Sequence, residues 1–207
     1  MEHRDHVMLL REGIDGSHLH TGEVWADLGS GTGAFTLALA DLLGPGAVIH
    51  SVDRDERAMK TQRQAMDARF PDASVDYRRA DFTGPLDLPP LDGVLMANSL
   101  HFVEDKDKVL KQVAAWLRPG GRLLIVEYDT DRGNTWVPHP ISYRTWEVLA
   151  VRAGFVDTRL LRTVPSRFLG RMYSALSLSR PPEPPERPQG KPCHPRRSLR
   201  TSPGKPA

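Results

Sequence analysis

The sequence predicts an α/β fold, a mostly parallel sheet with helices on both faces. Three observations carry that prediction. Short apolar runs alternate with longer amphipathic runs through residue 152. The short runs are almost continuously apolar, as in LLIV at 123–126, which suits strands covered on both faces. And the first run, Val24–Ala26, leads into three glycines at alternate positions, Gly29, Gly31 and Gly33, and then into a run of helix formers. Glycine lets the backbone adopt φ > 0 and lets a ligand lie against it. The helix that follows offers the free N–H groups of its first turn.

Taken in order, Asp5–Ile14 has apolar residues at Val7, Leu9, Leu10 and Ile14 and reads as a short amphipathic helix with Asp5 as its N-cap. Gly13–Glu23 is a loop holding His18 and His20; with no third ligand nearby, no metal site is expected there. After the glycine turn, the helix through Phe35, Leu37, Leu39, Leu42 and Leu43 stops at Gly44-Pro45-Gly46. Ala47–Val52 is a second strand ending at Asp53, Asp55–Phe70 a helix, and Ser74–Ala80 a third strand followed by Asp81-Phe82. Leu91–Ala97 is a fourth strand, and Asn98-Ser99-Leu100-His101 follows it. Lys106–Leu117 is a helix closed by Pro119-Gly120-Gly121. Arg122–Tyr128 is a fifth strand, 129–141 a polar loop and Tyr143–Arg152 a helix in which Tyr143 and Trp146 pack. Val156–Val164 and Phe168–Leu178 are two further strand-like segments.

Composition divides the chain. Nine of the 18 prolines fall in residues 180–207, with seven Lys/Arg against two Glu. That segment is therefore +5 in a chain of +2, which leaves −3 on residues 1–179. A basic, Pro-rich, apolar-poor stretch cannot bury enough surface to offset its ordering entropy. One domain over 1–179 and a disordered tail over 180–207 are expected. The single cysteine, Cys193, lies in the tail, which excludes an internal disulfide and thiol chemistry in the domain. No apolar run approaches a membrane span, the charged N-terminus does not read as a signal peptide, and a cytoplasmic location is expected.

Four strand ends carry polar groups: Asp27 with Gly29, Asp53, Asp81 and Asn98. In open α/β sheets ligands sit at such carboxyl ends. Ala34 at the third dinucleotide-glycine position decides little, but a carboxylate at the mouth of the turn would repel a pyrophosphate. No P-loop lysine is present for a triphosphate. A ligand with ribose, adenine and an α-amino acid, but no phosphate, matches the layout. Asp53 would accept the ribose hydroxyls, with Arg54 beside it; Asp81 would accept the adenine amine, with Phe82 against the ring. Asp27 would hold an ammonium group, and Asn98 would close the site. The ligand of that description is S-adenosylmethionine (SAM).

The segments VWADLGSGTGAF at 24–35, VDRD at 52–55, RADF at 79–82, LDGVLMANSLHFV at 91–103 and LRPGGRLLIVEYD at 117–129 resemble class I SAM-dependent methyltransferases in order and spacing. Within that group the sequence is similar to small-molecule enzymes such as the ubiquinone/menaquinone biosynthesis methyltransferases. The resemblance implies a Rossmann-like three-layer sandwich, with a seven-stranded sheet ordered 3-2-1-4-5-7-6 and the last strand antiparallel. It gives Gly29, Gly31 and Gly33 to the methionine and ribose, Asp53 to the ribose, and Asp81 with Phe82 to the adenine. It departs in its cover: only residues 1–22 and the 129–141 loop are available over the acceptor.

Methyl transfer requires no particular side chain, so catalytic groups stay open. His101 is a candidate base, Tyr128 and Asp129 end the fifth strand, and Trp136 with His139 could wall the acceptor. The Asn/Asp-Pro-Pro-aromatic motif of amino-methylating nucleic-acid enzymes is missing, and the acidic body disfavours phosphate backbones. A small organic acceptor is expected. A SAM-binding regulatory or scaffold protein without transfer activity is the alternative, and an NAD(P) oxidoreductase a third reading.

Overall fold

A computed structural model describes residues 1–14 and 22–181. The expectations for His18, His20 and nearly all of the tail lie outside the described residues. The elements are α1 (His3–Leu10), β1 (Val24–Leu28), α2 (Ala34–Leu43), β2 (Val48–Asp53), α3 (Glu56–Arg69), β3 (Ser74–Arg79) and β4 (Leu91–Ala97). They continue with α4 (Lys106–Trp116), β5 (Leu117–Tyr128), α5 (Tyr143–Arg152), β6 (Val156–Ser166) and β7 (Gly170–Leu178). The seven strands form one sheet in the order β3-β2-β1-β4-β5-β7-β6. β1 to β5 run parallel, and β7 lies antiparallel between β5 and β6. The fold is the Rossmann-like sandwich that the sequence implies.

Two apolar layers hold the helices to the sheet. On one face Trp25, Leu95, Leu124 and Val126 pack with Leu9, Leu10, Leu39 and Met66 of α1, α2 and α3. On the other, Val94, Met96, Leu123 and Ile125 pack with Leu110, Val113 and Trp146 of α4 and α5. Successive strand residues point to opposite faces, which is why runs such as LLIV must be apolar throughout. At the amino end of the sheet, Trp25 fills the space above Gly93, where a Cβ would come within 2.4 Å of the indole. Its Nε1 donates to Glu23 at 2.7 Å, and Arg122 bridges the same carboxylate at 2.5 Å.

Of the boundaries that differ from expectation, three have a visible cause. The first helix begins at His3, because the Asp5 carboxylate reaches back to the N–H of Glu2 at 2.8 Å; Asp5 is the third helical residue and not the N-cap. β5 begins at Leu117, which pairs with Leu91 of β4, and Gly120 and Gly121 bond Ser179 just beyond β7 instead of ending as a turn. β7 begins at Gly170, because Ser166 Oγ accepts from the N–H of Phe168 and Gly170 turns at φ 71°. Pro165 sits in β6, an edge strand where a missing donor is tolerated. Among the described residues no helix is long and apolar enough to cross a membrane.

Candidate cofactor and acceptor site

The carboxyl ends of the first four strands enclose a cavity of about 450 Å³. Gly29 and Gly31 line it from the turn after β1, and Asp53, Arg54 and Asp55 from the end of β2. Asp81, Phe82 and Thr83 contribute from beyond β3, and Asn98, Ser99, Phe102 and Val103 from beyond β4. Seven of the nine residues expected at the cofactor are thus brought together. Asp27 and Gly33 are not among the lining residues.

The turn is built by its glycines and by β2. Gly29 and Ser30 donate to the Val52 carbonyl at 2.8 and 3.1 Å. Gly29 and Gly31 hold φ of 77° and 54°, where a side chain is strained. A Cβ on Gly29 would sit 2.5 Å from Ser99 Cβ, whereas one on Gly31 would meet nothing within 4 Å. The Gly31 backbone is therefore the open face against which a ligand can lie. Asp53 braces it: one oxygen accepts from Gly31 N–H at 2.7 Å and the other from Asp55 N–H at 2.8 Å. Both oxygens keep a lone pair for further donors.

Asp27 lies outside the cavity lining. Its side chain turns to the α2 face of β1, is 1% exposed, and accepts from Thr36 Oγ1 at 2.6 Å. Burial pushes its carboxyl up to about 7, opposed by the Thr36 hydrogen bond. It belongs to a buried polar chain below the turn. Gln62 Nε2 donates to Thr36 at 2.6 Å, while Ser51 and Ser30 donate to Gln62 Oε1 at 3.0 and 3.2 Å. Gly33 also lies outside the lining: at φ 87° it caps α2, and a Cβ would lie 2.3 Å from Gln62 Cγ. It is a glycine because α3 presses against the turn. Sequence reasoning missed Gln62, Thr36 and Ser51, whose partners lie nine to 32 residues away.

At the third strand end, Asp81 Oδ1 takes both the N–H and the hydroxyl of Thr83, at 2.9 and 2.7 Å. Those bonds hold its carboxyl below the usual range. At the fourth, Asn98 stands at φ 53° with a buried Oδ1 that has no partner, and Ser99 Oγ ties the β4 end to the Leu28 carbonyl at 2.7 Å. The cavity wall carries three aspartates against Arg54 as its one cation among the described residues. Carboxylates only accept hydrogen bonds, so the wall suits hydroxyl, amine and ammonium groups and repels phosphate.

Of the catalytic candidates, Asp129 is committed to structure. It accepts from Tyr143 N–H at 2.9 Å and pairs with Arg171 at 2.5 Å. Trp136 is 73% exposed and does not line the cavity, and neither does His139. His101 is 3% exposed and bonds through Nδ1 to the buried Glu127 at 2.8 Å. Tyr128 lies beside His101, with ring centroids 5.9 Å apart.

A sequence profile described as a methyltransferase domain matches residues 26–123. Residues 26–123 thus carry a methyltransferase domain. The ubiquinone/menaquinone biosynthesis C-methyltransferase UbiE of Pasteurella multocida is 32% identical over 124 residues, 59% of this chain and 46% of that protein. An Escherichia coli UbiE is 31% identical over 59% of this chain and 49% of its own length. The chain thus spans about half the length of the curated relatives it matches. Among solved structures, a SAM-dependent methyltransferase from Aquifex aeolicus superposes with a TM-score of 0.64 at 19% identity, covering 84% of this chain and 89% of that one. The SAM complex of Haemonchus contortus phosphoethanolamine N-methyltransferase 2 gives 0.68 at 15% identity, over 86% of this chain and 53% of that one. At these identities the superpositions bear on the methyltransferase domain's fold.

Proposed function

We propose that the protein binds SAM in the cavity at the strand ends and transfers its methyl group to a small organic acceptor by in-line displacement. The observation that carries this reading is the convergence of the bare Gly31 backbone, Asp53 and Asp81 on one phosphate-repelling cavity. When bound, SAM supplies an already activated sulfonium methyl. The chain's own residues then have three tasks. Asp53 accepts the ribose hydroxyls while its bond to Gly31 holds the turn in place. Asp81 accepts the adenine amine, and Phe82 covers the ring. Asn98, Ser99, Phe102 and Val103 close the wall nearest the acceptor and keep water from the reacting atoms, where positioning alone can supply much of the rate.

The UbiE relatives carry the name C-methyltransferase of ubiquinone/menaquinone biosynthesis. On that likeness, the acceptor proposed here is a hydroxylated aromatic ring methylated at carbon. Incubating the protein with methyl-labelled SAM and a panel of quinols, phenols and amines tests the reading. Label transfer to a quinol supports it. Tight SAM binding with no transfer to any acceptor would favour the non-catalytic alternative.

A further inference from the structure

We propose that Asp27, buried beneath the glycine turn, makes the cavity select for a positively charged cofactor: its carboxyl gives up its proton when a cation lies along the turn and keeps it when the ligand there carries none. The proposal rests on the methyltransferase reading above and deepens it. SAM carries a sulfonium charge that its demethylated product, S-adenosylhomocysteine, lacks, and the two are otherwise charged alike.

β1 holds Asp27 one residue from its end. Gly29, which lines the cavity, follows two positions later, about 7 Å along the chain. The Asp27 side chain is 1% exposed, and one side-chain donor meets it, Thr36 Oγ1 at 2.6 Å. A buried carboxylate needs several donors or a cation to stay ionised. The polar chain around it cannot add them. Gln62 Nε2 is spent on Thr36, and Gln62 Oε1 accepts from Ser51 and Ser30. Thr36 is fixed in the same way: its oxygen accepts from Gln62, and its one hydrogen goes to Asp27. The carboxyl therefore holds its proton up to about 7.

The groups packed around Asp27 leave that charge unmet. β2 brings Asp53, whose own negative charge pushes the Asp27 carboxyl further up. α2 brings Thr36 and α3 brings Gln62, neither of which titrates, and β4 places Leu95 beside it in register. On α1, His6 lies edge-on to Phe35 of α2 at 4.6 Å, and burial lowers its pKa. Among the described residues no cation pairs with Asp27. A cation supplied by the ligand is what its ionised form lacks.

Coupling between the two charges is reciprocal. A cation that favours ionised Asp27 binds better once Asp27 is ionised, by the same factor. Unit charges about 10 Å apart, at an effective dielectric constant of about 20, shift an equilibrium roughly 15-fold. Water and salt at the open side of the cavity bring the expected coupling to about 3- to 10-fold. Below pH 7 Asp27 is neutral and the cavity treats the two ligands alike at this residue. Above pH 7 the carboxylate is present, and SAM gains over S-adenosylhomocysteine. Methyl transfer removes the charge on sulfur, so the product is held less well than the cofactor that replaces it, and product inhibition weakens as pH rises.

The test titrates the full chain calorimetrically with SAM and with S-adenosylhomocysteine from pH 6 to 9, for the wild type, D27N and T36V. The ligands' own ionisations are common to all three proteins, so the proteins are compared with one another. Between pH 6 and pH 8 the ratio of SAM to S-adenosylhomocysteine affinity should rise about 2- to 5-fold more in the wild type than in D27N. T36V removes the one side-chain donor to Asp27, so the rise should move to higher pH. In the wild type labelled with ¹³C-aspartate, the Asp27 carboxyl should titrate at lower pH in the SAM complex than in the S-adenosylhomocysteine complex. A wild-type ratio that follows the D27N ratio across the range, or an Asp27 carboxyl that titrates alike in both complexes, would overturn the proposal. The NMR comparison needs only the wild type and decides even if a variant does not fold. Failure of the wild type to bind either ligand would instead defeat the methyltransferase reading itself.

Discussion

Replacing Asp27 by Asn should flatten the pH dependence of stability. In the folded protein, burial raises the Asp27 carboxyl from 3.8 to about 7. An acid raised on folding stabilises the fold most at low pH. Below 3.8 both states are protonated and the carboxyl costs nothing. Between 3.8 and 7 the unfolded chain ionises while the folded one holds its proton, so stability falls as pH rises, and above 7 the loss is complete. At about 1.4 kcal/mol per pH unit, roughly 3 kcal/mol should be lost between pH 5 and pH 8 from this group alone. An asparagine can still accept from Thr36 Oγ1 and has no charge to desolvate. Urea denaturation of both proteins at each pH isolates the effect, because every other titration cancels in the difference. The advantage of the wild type over D27N should shrink steadily, and the variant should gain relative to it at pH 8. A difference that stays constant across that range would mean that Asp27 is ionised in the fold and that its burial is compensated by a partner not identified here.

Further expectations concern other parts of the fold. Gly33→Ala forces a non-glycine residue to φ 87° and drives a Cβ into Gln62, and should lower stability by about 2 kcal/mol or more in a denaturant titration. Trp146→Ala empties a fully buried site under α5 and should cost about 3–5 kcal/mol, read in the same way. Raising pH from 5 to 8 should not abolish binding at Asp81, whose carboxyl is already held below the usual range by Thr83; Thr83→Val should raise that carboxyl, detectable by ¹³C NMR titration.

Much of the fold could be read from the chain because its signals are local. Glycines at alternate positions, apolar runs covered on both faces and acidic residues just past each run fix the strand ends without any distant information. Asp53, Asp81 and Asn98 reach the cavity for that reason. Asp27 did not, although the alternation along β1 holds the clue. Trp25 and Asp27 share one face, and Trp25 faces α2. The carboxylate must therefore turn under the glycine loop. Gly33 shares the alternation of Gly29 and Gly31, which line the cavity, but what it accommodates is Gln62, 29 positions later. Glu127 follows the apolar run of β5, and nothing in its local sequence marks it. Its meaning comes from His101, which no spacing rule connects to it. Boundaries moved where a side chain bonded a nearby backbone group, as Asp5 and Ser166 do.

The proposed binding mode turns most directly on the contact between Asp53 and the ribose. Isothermal titration of S-adenosylhomocysteine into the wild type and D53A measures it. One site is expected in the wild type, with binding weaker by about 1–3 kcal/mol in the variant, as for the loss of hydrogen bonds to a charged acceptor. Equal affinity in the two proteins, or wild-type heat with NADPH and none with S-adenosylhomocysteine, would contradict it.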